Sequence, residues 1–229
     1  MDFTEFEKKA GLSFTNKELL KQAFVHRSYI NENKSSGLSH NERLEFLGDA
    51  VLELVITDFL YKKYTDKPEG ELTAYRSALV NADTCASIAT KIGMGDYLLL
   101  SKGESKDVGR ARQYILANAL EALIGAIYID QGLAMARDFI EKNFMPMIDS
   151  IISARSFIDA KSLFQEKAQE FDGVTPSYKT MKESGPDHEK KFTVGVYVGK
   201  NLVAQGEGES KQDAEQEAAR SALVARGWN

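Results

Sequence analysis

Apolar residues recur at helical spacing through most of the first 150 positions, and strand-like alternation begins only after that. The spacing predicts helices over residues 3–10, 16–29, 42–64, 70–81 and 82–92, with Asn81, Ala82 and Asp83 supplying capping chemistry between the last two. Leu44, Leu47, Val51, Leu54 and Val55 form a stripe along the third helix, a stripe that calls for a core. Residues 114–129, YILANALEALIGAIYI, are apolar nearly all round, so the predicted helix is buried on most sides. After Gly132, residues 133–152 give one or two more helices, interrupted at Met145 and Pro146. The polar stretches at 31–39 and 101–109 read as loops.

Beyond residue 156 the period changes. A helix over 160–171, with Leu163, Phe164, Lys167, Ala168 and Phe171 on its inner face, leads into alternating runs at 177–182, 191–198 and 201–206. Ser210 caps a last helix, with Asp213 at the capping-box distance and Ala214, Ala218, Ala219 and Ala222 on a close-packing face. The expected fold class is an all-α domain over 3–152 followed by a small α+β domain, α-β-β-β-α, over 158–227, with a linker near 151–159.

Composition narrows this picture only in places. A chain of 229 residues suits one large or two modest domains, and its 43% hydrophobic and 28% charged content is ordinary for a soluble protein. The start, MDFTEFEKKAG, has no apolar signal segment, and no run approaches the roughly 18 apolar residues of a membrane span. One cysteine, Cys85, forms no internal disulfide and reads as a small core residue, which points to a reducing, cytoplasmic location. The net charge is −5, with a small acidic excess in each half, and gives no compositional sign of nucleic-acid binding.

The candidate chemistry lies on two of the predicted helices. In NERLEFLGDA, Glu42, Glu45 and Asp49 fall at offsets of three and seven, within an arc of roughly 60° on a helix. Like charges so arranged repel, and a hard cation with oxygen ligands would relieve them; a solvated acidic face is the plainer alternative. In the apolar helix, Asn118 and Glu121 are the only strongly polar side chains and share a face. A buried Glu needs a partner: either an ion pair with Arg43, Arg76 or Arg112, or a metal bridging it to the first acidic stripe. Glu69, in the turn-like KPEGE, is an outer ligand in the second case and a solvated turn residue otherwise.

NERLEFLGD, then PEGELTAYRSALVN and ILANALEALIGAIYIDQG, resemble the catalytic domain of bacterial ribonuclease III, as does the earlier FVHRSY. The resemblance runs in order along the whole chain. It implies a divalent-metal endoribonuclease that cuts double-stranded RNA, with Mg²⁺ as cofactor and Mn²⁺ as substitute. It assigns Glu45 and Glu121 as direct metal ligands, Asp49 and Glu121 as the catalytic pair, and Glu42 and Glu69 as supporting carboxylates. At position 118 the family usually has an Asp ligand, and this chain has Asn118. A double-stranded RNA-binding protein with weakened or absent cleavage is therefore the alternative. The resemblance also implies a homodimer with Phe46 as a subunit contact, a short 3′ overhang on the product, and processing of ribosomal and messenger RNA precursors. From the residues alone, Phe46 reads equally as a core side chain.

KSLFQEKAQE, GPDHEKKF and GEGESKQDAEQEAA resemble a double-stranded RNA-binding domain. Such domains read shape, 2′-hydroxyls and phosphates across two minor grooves. In this chain Gln165, Glu166 and Gln169 suit one minor groove, His188 the next, and Lys211, at a helix N-terminus, a phosphate. Binding would rest on the local placement of Lys161, Lys190, Lys191 and Lys211, against an acidic surplus that includes Glu207, Glu209, Glu215 and Glu217.

Overall fold

The structure, a computed structural model, describes residues 2–154, 160–186 and 190–228. It divides into two compact units, Met1–Phe157 and Ile158–Asn229. The expected linker falls across the boundary: 151–154 are helical, and 155–159 lie outside the described residues.

The first unit is helical: α1 Thr4–Ala10, α2 Lys17–Ala23, α3 Arg27–Glu32, α4 Glu42–Lys63, α5 Glu69–Val80, α6 Ala82–Lys91 and α7 Arg110–Ala154. Its core is centred on α7, where Ala119, Leu120, Ala122, Leu123, Ile124, Ala126 and Ile127 are fully buried. Small side chains let α4 come very close. A Cβ on Gly48 would sit 1.7 Å from the Glu121 carbonyl oxygen, and one on Gly125 would sit 2.2 Å from that of Leu44. The two backbones therefore touch where both carry acidic side chains, which only glycine permits on each helix.

Four sequence expectations change here. The single helix expected over 16–29 is two, because Val25 bridges Leu99: the His26 amide donates to Leu99 O at 3.0 Å, and the Leu99 amide to Phe24 O at 2.8 Å. Pro146 does not interrupt its helix; residues on either side are anchored by buried Phe144 and Ile148, which offset the hydrogen bond that proline lacks. The break falls instead at Gly132, whose φ of 82° and ψ of 179° are open to little but glycine. Leu54 leaves the expected core stripe and is 55% exposed, while Leu44, Val51 and Val55 are buried. Finally, Arg110–Asp149 is long and apolar enough to cross a membrane by composition, against expectation, although half of its apolar window is buried within the unit.

Long-range polar contacts hold the N-terminal elements in place. Asp130, on α7, accepts the Thr15 and Asn16 amides at 2.8 and 2.9 Å, and Asn16 in turn caps α2. Buried Glu7 accepts from the Phe14 amide and Lys17 Nζ, both at 2.7 Å.

The second unit runs α8 Ala160–Asp172, β1 Ser177–Ser184, β2 Lys191–Val198, β3 Asn201–Gly208 and α9 Lys211–Arg226. The strands form an antiparallel sheet in the order β1-β2-β3. Phe164, Ala168, Val196, Ala218, Ala219 and Ala222 make its core. The alanine face of α9 presses on β3 so closely that a Cβ on Gly206 would meet the Ala218 nitrogen at 2.1 Å. Ser210 accepts the Asp213 amide at 3.1 Å and so caps α9. Phe171, expected inward, is 60% exposed and stacks on Trp228.

Candidate active site

The first turn of α4 brings Glu42 beside Arg27, which donates to its carboxylate at 2.7 Å; His40 Nδ1 lies 3.8 Å from the same oxygen. One and two turns further on, Glu45 is half-buried and Asp49 exposed. Burial, the Glu42 charge and the Asp49 charge push the Glu45 carboxyl up, against a hydrogen bond from Asn118 that pulls it down. Across the helix contact, Glu121 is pushed up to about 7, by burial first, then by Asp49 and Glu45. Glu45, Asp49, Asn118 and Glu121 thus form one electrostatic neighbourhood.

The ion-pair alternative for Glu121 fails on its partners. Arg76 donates to Thr57 Oγ1, Arg112 to the Gly95 carbonyl, and Arg43 points to solvent. The charges that act on Glu121 are both negative. An acidic group shifted this far by burial and like charge, at a helix crossing, has the marks of a functional site. The donor set is all oxygen, which fits a hard divalent cation. Among the described residues, however, no three His, Cys, Asp or Glu side chains gather closely enough to cage an ion by themselves.

Glu69 is not brought into this neighbourhood. It begins α5, is exposed, accepts from Thr73 Oγ1 at 2.9 Å, and is not among the charges acting on Glu45 or Glu121. Cys85, a residue the sequence did not connect to the acidic group, lies buried nearby; burial and the charges of Glu121 and Asp49 push its thiol up. Phe46 is 81% exposed, which excludes the core reading, and Leu54 and Tyr61 are exposed on the same helix.

On the second unit, Gln165, Glu166 and Gln169 are exposed and line a shallow groove on α8 with Ser162 and Glu170. Lys211 stands at the start of α9, as expected, but its Nζ lies 3.0 Å from Glu183, a residue sequence reasoning passed over. Lys190 reaches the same carboxylate at 3.4 Å, and Lys161 pairs with Glu215. Lys191 is exposed, and His188 lies outside the described residues.

Residues 16–148 match the family model described as ribonuclease-III-like, and residues 160–224 the double-stranded RNA binding motif. The chain is 46% identical to ribonuclease 3 of Borreliella burgdorferi over 222 residues, which is 97% of this chain and 90% of that protein. The chain belongs to the ribonuclease III family. Ribonuclease 3 of Enterococcus faecalis is 43% identical over 220 residues, covering 96% of this chain and 95% of the relative. Among solved structures, the nuclease domain of Campylobacter jejuni ribonuclease III superposes with a TM-score of 0.56 at 39% identity, over 63% of this chain and 99% of that one. That protein is described as having a flexible region involved in dimer formation. The ribonuclease III match contains all five acidic candidates and Asn118, and the RNA-binding motif contains Gln165, Glu166, Gln169 and Lys211.

Proposed function

We propose that this ribonuclease III family member is a divalent-metal-dependent endoribonuclease that cuts double-stranded RNA as a homodimer. Its products carry a 5′-phosphate and a short 3′ overhang, and precursors of ribosomal and messenger RNA are its substrates in the cytoplasm. The observation that carries the reading is the group Glu45, Asp49 and Glu121, carboxylates whose like charges push Glu45 and Glu121 up, with no basic side chain among the described residues acting on either. Glu45, Asn118 and Glu121 would hold Mg²⁺, with Mn²⁺ as substitute. Such an ion polarises the scissile phosphate and lowers the pKa of an attacking water.

The chain's own groups do the rest. Asp49, exposed beside Glu45 and Glu121, would accept a proton from the attacking water on a carboxylate oxygen. Glu121, pushed up to about 7, is only partly ionised at neutral pH, and a positive charge offsetting its neighbours would favour the ionised form. Glu42 adds negative charge beside Glu45 while Arg27 fixes its direction. Glu69, which lies on α5 apart from the charges acting on Glu45 and Glu121, would be a supporting carboxylate on the family resemblance alone. Phe46, exposed on α4 as are Leu54 and Tyr61, would be free to make a subunit contact. The groove on α8 and Lys211 serve the duplex, with His188 at a second minor groove.

One observation favours a second reading, in which the chain binds duplex RNA and cleaves it poorly. The Asn118 amide is engaged with Glu45 by hydrogen bonding and brings no negative charge of its own. Incubation of the purified chain with duplex RNA in Mg²⁺ and in EDTA decides between them. Cleavage in Mg²⁺ alone supports the enzyme; gel retardation in both with no cleavage in either selects the binding protein.

A further inference from the structure

Two of the four lysines on which duplex binding by the second unit would rest converge on one carboxylate. Glu183, near the end of β1, has Lys211 Nζ at 3.0 Å on one oxygen and Lys190 Nζ at 3.4 Å on the other. Both ammonium groups also lie over the Phe192 ring, at 5.5 and 6.0 Å from its centroid. The aromatic face and the shared carboxylate hold the two cations side by side at the mouth of α9. All three polar side chains are more than a third exposed, so these pairs add little to the stability of the fold. The two lysines together pull the Glu183 carboxyl below the usual range.

We propose that Glu183 is an internal competitor for RNA phosphate: in the free protein it occupies the Lys190–Lys211 pair, and a backbone phosphate takes its place when duplex RNA binds. This inference rests on the proposed duplex-RNA function and concerns how tightly and how salt-sensitively that function operates. A carboxylate between two ammonium groups offers them the same charge-assisted hydrogen bonds as a phosphate oxygen. The duplex must therefore displace an ionised group that stays nearby and repels it. Each lysine also releases fewer counterions on binding, because part of its charge is already neutralised within the protein. In a unit without a basic excess, a competitor at this position keeps a single binding module weak. Lasting contact then falls to duplexes long enough to engage more than one module at once.

The test is Glu183→Gln in the full chain, with Lys211→Ala and Glu183→Gln/Lys211→Ala beside it. Binding to a labelled blunt RNA duplex of about 20 base pairs, slightly more than the roughly 16 spanned by such a domain, is measured in EDTA across a salt series. The proposal expects Glu183→Gln to bind about three- to tenfold tighter at low salt, from removal of one charge within a few ångströms of the phosphate. The slope of log affinity against log salt should steepen by about one unit, for one more cation neutralised on binding. The gain should shrink on the Lys211→Ala background, and melting temperature should stay where it was. Equal or weaker binding by Glu183→Gln, with wild type still binding, overturns the proposal and leaves the duplex function standing; weaker binding would mean that Glu183 arranges the lysines for RNA. Absence of binding by wild type and variants alike overturns both.

Discussion

Glu121→Gln separates the cost of the acidic group from its use. Without metal, the Glu121 carboxyl is raised from 4.5 to about 7, because burial and the Asp49 and Glu45 charges penalise its ionised form. A folded-state pKa above the unfolded one means that the folded protein binds the extra proton. The contribution of Glu121 to stability is therefore greatest below about 4.5, falls as pH rises towards 7, and is flat beyond that. At 1.36 kcal/mol per unit the full penalty is about 3 kcal/mol; partial exposure of the group and relaxation around it bring the expected value to about 1–2 kcal/mol. The amide keeps the shape and loses the charge. In EDTA at pH 8, Glu121→Gln should melt about 2–8 °C above wild type, and at pH 4.5 the two should coincide. Mg²⁺ should raise the melting point of wild type and leave the variant where it was. Cleavage by the variant should be lost, with duplex affinity in EDTA unchanged. A variant less stable than wild type at pH 8 in EDTA would refute the reasoning, since that is the mark of a broken ion pair.

Asn118→Asp restores a full charge to the group and should lower the Mg²⁺ concentration for half-maximal cleavage about three- to tenfold, with duplex affinity in EDTA unchanged; an identical Mg²⁺ titration would remove position 118 from the ligand set. Gly48→Ala places a methyl group 1.7 Å from the Glu121 carbonyl oxygen, so it should cost at least about 1–3 kcal/mol and disturb the acidic group, whereas Gly70→Ala, with nothing within 4 Å, should melt at or slightly above wild type. A chain ended after Ser153 should still cut duplex RNA at low salt and fail at physiological salt, because it lacks the phosphate contacts of the second unit; salt-insensitive cleavage by that fragment would refute the division of labour.

What the sequence made legible was local. Carboxylates at offsets of three and seven on a periodic helix, and two polar residues three apart in an apolar one, mark α4 and α7 without any partner in view. The alternating strands and the Ser210 cap are equally short-range signals, and all lie where the spacing puts them. What stayed hidden depends on residues far apart in the chain. The helix expected over 16–29 breaks because Leu99 supplies hydrogen bonds to the backbone on either side of Val25, and no spacing near residue 25 announces that. Nothing in the local spacing singles out Gly48 and Gly125; the crossing of α4 over α7 gives them their purpose. Leu54 and Phe46 fit a core by type, but α4 turns them to the outside. Glu183 sits in an exposed strand, and its two lysines meet it only once β1, β2 and α9 are assembled.

The treatment of acidic groups elsewhere in the chain sharpens the reading of the α4–α7 crossing. Buried Glu7 is met by a lysine and a backbone amide, and Asp130 by two backbone amides. Asp58 is shared between Lys62 and Arg137, and Glu42 is held by Arg27. Each of these carboxylates has a donor that offsets its desolvation. At the crossing, among the described residues, Glu45 has the neutral Asn118 amide as its favourable partner, and Glu121 faces the negative charges of Asp49 and Glu45. Glu7, Asp130, Asp58 and Glu42 show that the fold can supply a lysine, an arginine or backbone amides to an acidic group. The two glycines that bring α4 and α7 into contact work in the other direction, since they press the carboxylates together and add to the repulsion. An arrangement that raises its own electrostatic energy in the empty state gains most when a divalent cation enters, because both the desolvation and the repulsion are then relieved at once. On the proposed function, the lost stability and the metal affinity would be two sides of one geometry.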